Sequence, residues 1–287
     1  MVRLTTRCEA IIDSMKRSQT NPGARPSAAG VRCNTIRYGR SLAGVLLCCA
    51  AMAATAETAL VAVASNFAET ARTLVALFTE NSAHRLTLTP GSTGKLYAQI
   101  LHGAPYDLFL AADAERPRLL EESGAAVAGS RQTYAIGQLV LHENSQLSGL
   151  LPGRELLVEG NFSRLALANP QLAPYGLAAL ETLQSLGVED TVQGKLVYGD
   201  NVGQVYAMLN TGNVDLAFIS AAQLSVAGGH RGRSWRVPEE LHRPIRQDLV
   251  MLSRARGNPA AEAFTQFLRT RKARALIVSL GYRPFDD

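Results

Sequence analysis

The sequence predicts an α/β fold with a largely parallel sheet. Three observations carry that expectation. Short apolar runs alternate with stretches of helical periodicity from residue 59 onward. No internal repeat and no low-complexity linker interrupts the alternation after residue 57. The 287 residues are 47% hydrophobic and 18% charged, a soluble globular composition long enough for one large domain or two modest ones.

Taken in order, "ALVAVA" (59–64) reads as a strand and "FAETARTLVALFTENS" as an amphipathic helix. "LTLT" (86–89) is a strand, "PGSTG" a turn, and "KLYAQILHG" a helix that stops at Gly103. "DLFLAAD" (107–113) is a strand, and "ERPRLLEESG" a short helix with Gly124 at its stop. "YAIGQLVLHE" (134–143) is extended. "LALANP" (165–170) is a strand, and "PYGLAALETLQSLG" a helix with Pro174 in its first turn. "KLVYG" (195–199) is a strand, "DNV" a cap and "GQVYAMLNTG" a helix. "VDLAFIS" (214–220) is a strand, and "RPIRQDLVML" (243–252) contains another extended stretch. "GGHRGRSW" (228–235) reads as an exposed, solvated loop. "NPAAEAFTQFLRTRKARALIVSLGY" supplies one long closing helix.

The formal charge of +5 is unevenly spread. Residues 1–56 hold eight Lys/Arg against Glu9 and Asp13, a net +6, which leaves −1 for residues 57–287. The basic balance belongs to the leader and indicates no nucleic-acid surface. Arg37 and Arg40, the apolar "SLAGVLLCCAAMAA" and the small-x-small "ATA" before Glu57 read as a secretion signal over residues 1–56, hence a periplasmic location. The apolar stretch is short of the roughly 20 residues a membrane span needs. All four cysteines (Cys8, Cys33, Cys48, Cys49) lie in this leader, so the mature chain is expected to use no disulfide, Cys-metal site or Cys nucleophile.

The chemistry is concentrated in four corners where a strand runs through a polar or Gly-containing turn into a helix. They are Ser65-Asn66, Gly91-Ser92-Thr93-Gly94, Pro174-Tyr175-Gly176 and Asp200-Asn201-Val202-Gly203. In an open α/β sheet such corners lie at the carboxyl ends of the strands, where ligands bind. Each helix start offers unpaired N–H groups and the positive end of a dipole. Several aimed at one point hold an anion without a charged side chain. Each corner alone has a plainer explanation, because Ser and Asn are ordinary helix caps. Asp200 reads as a cap, since a carboxylate would repel an anion.

"VAVASNFAET", "GSTGKLYAQILHGAPYDLFLAAD", "ANPQLAPYGLAALETLQSLG", "DNVGQVYAMLNTGNVDLAFIS" and "FTQFLRTRKARALIVSLGY" together resemble the periplasmic molybdate-binding proteins of ABC transporters. The resemblance runs in order over nearly all of residues 59–285. It implies a two-lobed α/β periplasmic binding protein of type II, each lobe a mainly parallel sheet flanked by helices, joined by two crossing strands near Tyr134–Leu141 and Pro244–Met251. Lobe 1 would be residues 57–137 and 247–287, and lobe 2 residues 138–246. The implied ligand is molybdate, and tungstate with it, held through its oxygens by Ser65, Asn66, Ser92 and Thr93, by Tyr175, and by the backbone N–H of Val202. The implied partner is the inner-membrane permease of an ABC transporter. The implied protein is a monomer, needs no cofactor and is no enzyme. One departure is visible: a branch of the family has a Tyr donor where this chain has Ser220, and Tyr175 is the candidate replacement.

Other readings are weaker. "GSTGK" is no phosphate-binding P-loop, because Thr89 and Leu96 stand where that motif needs Gly and Ser/Thr; Lys95 reads as a solvent-facing helix residue. The five histidines show no metal-ligand spacing. An enzyme on the same scaffold would need an acid or nucleophile in the cleft; Asp107 and Asp113 are the nearest candidates, and turn capping accounts for both. A sulfate- or phosphate-type oxyanion-binding protein, or a sensory one, remains the alternative within the binding class.

Overall fold

The computed structural model describes residues 56–144, 153–226 and 232–285. The proposed secretion signal lies outside them. Strand β1 (Thr58–Ala64) is buried from Val61 onward, as a central strand must be, and pairs in parallel with β2 (Arg85–Gly91). Between them a single 3₁₀ turn (Ser65–Phe67) leads into helix α1 (Ala68–Thr79). Helix α2 (Thr93–Leu101) follows β2 and returns the chain to β3 (Leu108–Leu110), also parallel to β1. After α3 (Glu115–Glu122) comes β4 (Gln132–Gly137).

At Gln138 the chain changes sheets. Strand β5 (Leu139–Glu143) opens a second one, joined by α4 (Gly153–Glu159), β6 (Leu165–Ala168), α5 (Pro174–Leu186) and the short α6 (Glu189–Val192). Then follow β7 (Leu196–Gly199), α7 (Val202–Asn210), β8 (Leu216–Ser220), α8 (Ala221–Val226) and β9 (Ser234–Arg236). The chain then returns to the first sheet as β10 (Ile245–Met251) and ends in α9 (Pro259–Arg269) and α10 (Arg271–Ser279).

The strand orders are β2-β1-β3-β10-β4 and β7-β6-β8-β5-β9. In each sheet four strands run one way and one runs against them. The reversed strand is the one the chain enters on crossing, β5 in the second sheet and β10 in the first. Apolar side chains fill both faces of the first sheet, with Phe67, Phe78 and Phe264 on one and Tyr106, Phe109 and Leu120 on the other. A third cluster around Leu141, Leu167, Phe218 and Ile219 makes the core of the second. The fold is two-lobed α/β.

Two sequence expectations about these elements need correction. The closing helix is two helices. Thr270 adopts an extended ψ of 148° and its hydroxyl accepts from the Ala273 N–H, so its side chain caps a new start instead of continuing the old one. "GGHRGRSW" is not all solvated loop: Ser234–Arg236 is an edge strand on β5, and Arg233 pairs with the buried Glu143 at 3.0 Å. Residues 227–231 lie outside the described ones. The run 134–143 is extended and crosses between the sheets at Gln138, as the sequence led one to expect.

Candidate functional site

Four corners meet between the sheets. At the first, neither Ser65 nor Asn66 caps the helix that follows. Asn66 is buried, and its amide nitrogen donates to Gln247 Oε1 (2.9 Å) and to Tyr282 Oη (3.3 Å). Ser65 Oγ accepts from the Gly203 N–H of the other lobe at 3.4 Å. Phe67 fixes the turn from below, edge-on to Tyr134 and Tyr282. At the second corner the capping explanation holds for Ser92, whose hydroxyl accepts from the Lys95 N–H. Thr93 is buried and its Oγ1 accepts from the Ala112 N–H (3.1 Å), which leaves the hydroxyl proton to be donated elsewhere.

The third corner starts α5 over the end of β6. A Cβ on Gly176 would lie 2.1 Å from the Ala168 carbonyl oxygen, so this close start requires glycine. Tyr175 is buried beside Ser220, whose Oγ donates to its phenol at 3.1 Å; Gln247 Nε2 donates to the same oxygen at 3.3 Å. Burial pushes the Tyr175 pKa up, so the phenol keeps its proton. At the fourth corner the cap is Asn201, accepting from the Gly203 and Gln204 N–H groups (2.9 and 3.1 Å). Asp200 therefore does not cap. It reaches across to Lys95 Nζ at 2.5 Å, an ion pair between lobes, and that hydrogen bond holds its carboxyl below the usual range. Lys95 is thus a bridge as well as a half-exposed helix residue.

All six candidate residues, Ser65, Asn66, Ser92, Thr93, Tyr175 and Val202, line one cavity. Its volume is about 10 Å³, far below the several hundred Å³ of an organic-ligand pocket. No lining residue carries a formal charge. Helix geometry leaves the N–H groups of Thr93, Tyr175 and Val202, each in a first turn, without an intrahelical acceptor. Three helix dipoles therefore present their positive ends to one point, one from the first lobe and two from the second. The lobes touch around it. The Gly94 N–H donates to the Leu172 carbonyl at 2.8 Å, and Arg116 Nη2 to the Gln171 carbonyl at 3.2 Å.

Neither carboxylate considered for catalysis lines this cavity. Asp107 accepts from the Leu60 N–H (2.7 Å) and faces Arg254 (3.6 Å). Asp113 accepts from the Arg116 N–H (2.9 Å); burial raises its pKa, and Arg116 partly opposes the rise. Among the described residues no group of three or more His, Cys, Asp or Glu is placed to hold a metal ion. No helix among them is long and apolar enough to cross a membrane.

Sequence reasoning missed Gln247, Tyr134 and Tyr282, and at the fourth corner gave Asp200 the cap that Asn201 makes. Tyr134 Oη donates to the Ala111 carbonyl (2.8 Å) and lies 3.1 Å from Gln247 Oε1; Tyr282 Oη donates to the Asn66 carbonyl (2.9 Å). Gln247 lies between Arg246 and Asp248 in the strand IRQDLVM, so nothing in the local sequence set it apart.

A family model described as bacterial extracellular solute-binding protein matches residues 59–283. The molybdate-binding protein ModA of Rhodobacter capsulatus is 40% identical over 248 residues, 86% of this chain and 96% of that protein. The molybdate-binding protein ModA of Azotobacter vinelandii is 41% identical over 244 residues, 84% of this chain and 95% of that protein. The solved structure of the Azotobacter vinelandii periplasmic molybdate-binding protein matches with a TM-score of 0.75 at 35% identity, over 79% of this chain and 100% of that one.

Proposed function

The chain belongs to the bacterial extracellular solute-binding proteins, in the branch of the molybdate-binding relatives, and from that membership we propose that it captures molybdate, and tungstate with it. It works in the periplasm as a monomer and delivers the anion to the inner-membrane permease of an ABC transporter. The observation that carries this reading is the convergence of three helix N-termini, from both lobes, on one small cavity with no charged lining.

The roles follow from that geometry. The Thr93 and Tyr175 hydroxyls and the N–H groups of Thr93, Tyr175 and Val202 donate to the oxyanion. Ser65, Asn66 and Ser92 close the cage around it. Burying a dianion is costly unless every oxygen is hydrogen-bonded. Fixed neutral dipoles offset that cost without a counter-ion. A cage of donors accepts a guest that brings only acceptors, and it works against one that brings a proton. Because donors come from both lobes, binding energy is spent on lobe closure, and the closed form is what a permease would read. No covalent chemistry is involved.

The test is calorimetry of the chain against molybdate, tungstate, sulfate and phosphate. Tight binding of molybdate and tungstate, with sulfate much weaker, is expected. Heat from phosphate alone would overturn the reading.

A further inference from the structure

A phenol donates one hydrogen bond and can also accept, so Tyr175 is a donor toward a guest only where something fixes its direction. Building on the oxyanion reading, we propose that Gln247, Ser220 and Tyr282 determine specificity: a buried run of one-way hydrogen bonds holds the Tyr175 hydroxyl as a donor only and so excludes guests that carry a proton. These are positioning residues that act through Tyr175.

The direction is set at the Asn66 carbonyl, which can only accept. Tyr282 gives it its single proton (2.9 Å), and the Tyr282 oxygen is left to accept from Asn66 Nδ2 (3.3 Å). That orients the Asn66 amide, whose NH₂ also donates to Gln247 Oε1 (2.9 Å). With its oxygen turned toward Asn66, Gln247 must turn its NH₂ toward Tyr175, where it donates to the phenol oxygen at 3.3 Å. From the other side Ser220 Oγ accepts the Ala222 N–H (3.3 Å) and donates to the same phenol oxygen (3.1 Å). Two donors engage the lone pairs of Tyr175. What remains is its proton, on a residue that lines the cavity.

Burial makes the direction hold. Gln247 and Ser220 are 0% exposed and Tyr282 3%, so bulk water offers no competing partner. Gly137 leaves room for the junction: a Cβ there would lie 2.3 Å from the Tyr175 hydroxyl and 2.7 Å from Gln247 Nε2. The three residues come from β8, β10 and the segment after α10, and all agree on one direction.

The experiment compares molybdate, sulfate and inorganic phosphate by competition on the full chain, wild type against Ser220→Ala and Gln247→Leu. Phosphate keeps a proton at neutral pH, and the other two anions keep none. Freeing one acceptor site on Tyr175 is worth about one hydrogen bond. The phosphate-to-molybdate ratio of dissociation constants is therefore expected to fall about tenfold in each variant. The sulfate-to-molybdate ratio is expected to stay within about threefold, because that ratio reports cavity size and not proton acceptance. A phosphate ratio unchanged from wild type, or phosphate and sulfate shifting together, overturns the inference. Gln247→Leu also strips Asn66 Nδ2 of an acceptor; should that variant fail to fold, Ser220→Ala, which loses one hydroxyl, decides alone. A wild-type chain that binds none of the three anions overturns the oxyanion reading itself. Molybdate binding with an unmoved phosphate ratio overturns only the proton-direction argument.

Discussion

Gly94→Ala is expected to weaken molybdate binding by opposing lobe closure. Gly94 sits in the first turn of α2, and its N–H donates across the cleft to Leu172 O at 2.8 Å. An added Cβ would lie 3.1 Å from both the Leu172 Cα and that carbonyl oxygen. Comfortable carbon contacts begin at about 3.5 Å. The lobes must part by a few tenths of an ångström, at the very point where they are bonded. Overpacking of this kind costs about 1–3 kcal/mol, and weakening the bond adds part of about 0.5–1.5 kcal/mol. Alanine also improves the helix by about 1 kcal/mol, but that gain is common to open and closed forms and cancels in binding. A net loss of about 2–3 kcal/mol raises Kd about 30- to 160-fold. Titration calorimetry gives Kd, and thermal unfolding of the ligand-free chain separates closure from folding. The ligand-free variant is expected to unfold no earlier than wild type. An unchanged Kd would refute the reasoning, as would a drop in ligand-free stability large enough to explain the loss.

Three further outcomes are expected. Thr93→Ala removes one neutral donor and should raise the free energy of molybdate binding by about 1–2 kcal/mol, measured by calorimetry, while Thr93→Ser retains most of the affinity. Burial raises the pKa of Tyr134, Tyr175 and Tyr282, so their contribution to stability is fully present below the unfolded value near about pH 10 and is lost as pH rises beyond it. Unfolding curves against pH should be flat in this respect up to that point and then decline; a tyrosine-dependent decline beginning near neutrality would contradict the buried, protonated assignment. Thr270→Ala should lower stability by about 1 kcal/mol in urea unfolding, through loss of the α10 cap, with no change in anion affinity.

The fold was legible where one element's own residues decide it. "ALVAVA" is buried and strand-forming by itself, and Pro174 announces the start of α5. The four corners were legible too, because helix starts need Ser, Asn or Pro locally. Whether Ser65 and Asn66 cap a helix or face a cavity was not. The answer depends on Gln247 and Tyr282, 181 and 216 positions away, and only the crossing of the chain between lobes brings them together. Asn201 and Asp200 were exchanged for a similar reason: both can cap, and Lys95 on the other lobe draws Asp200 away. The break at Thr270 escaped notice because the polar run Arg269-Thr270-Arg271-Lys272 reads as a solvated helix face; the buried positions 264 and 268 resume at 273 and 277, a step of five that marks the break.

Strand β10 lies between β3 and β4, although the whole second sheet separates it from them along the chain. The amino-terminal portion by itself therefore has a gap in the middle of its sheet, with β3 and β4 each missing a neighbour. The second sheet, by contrast, draws all five strands from one uninterrupted stretch of sequence. Loop-closure entropy favours the contiguous unit, so it should condense first and act as the template on which the split unit is finished. A chain stalled before Ile245 emerges would carry every residue that lines the anion cavity but lack Gln247 and Tyr282, which hold Asn66 and Tyr175, so fixing the cargo site is the final act of its maturation.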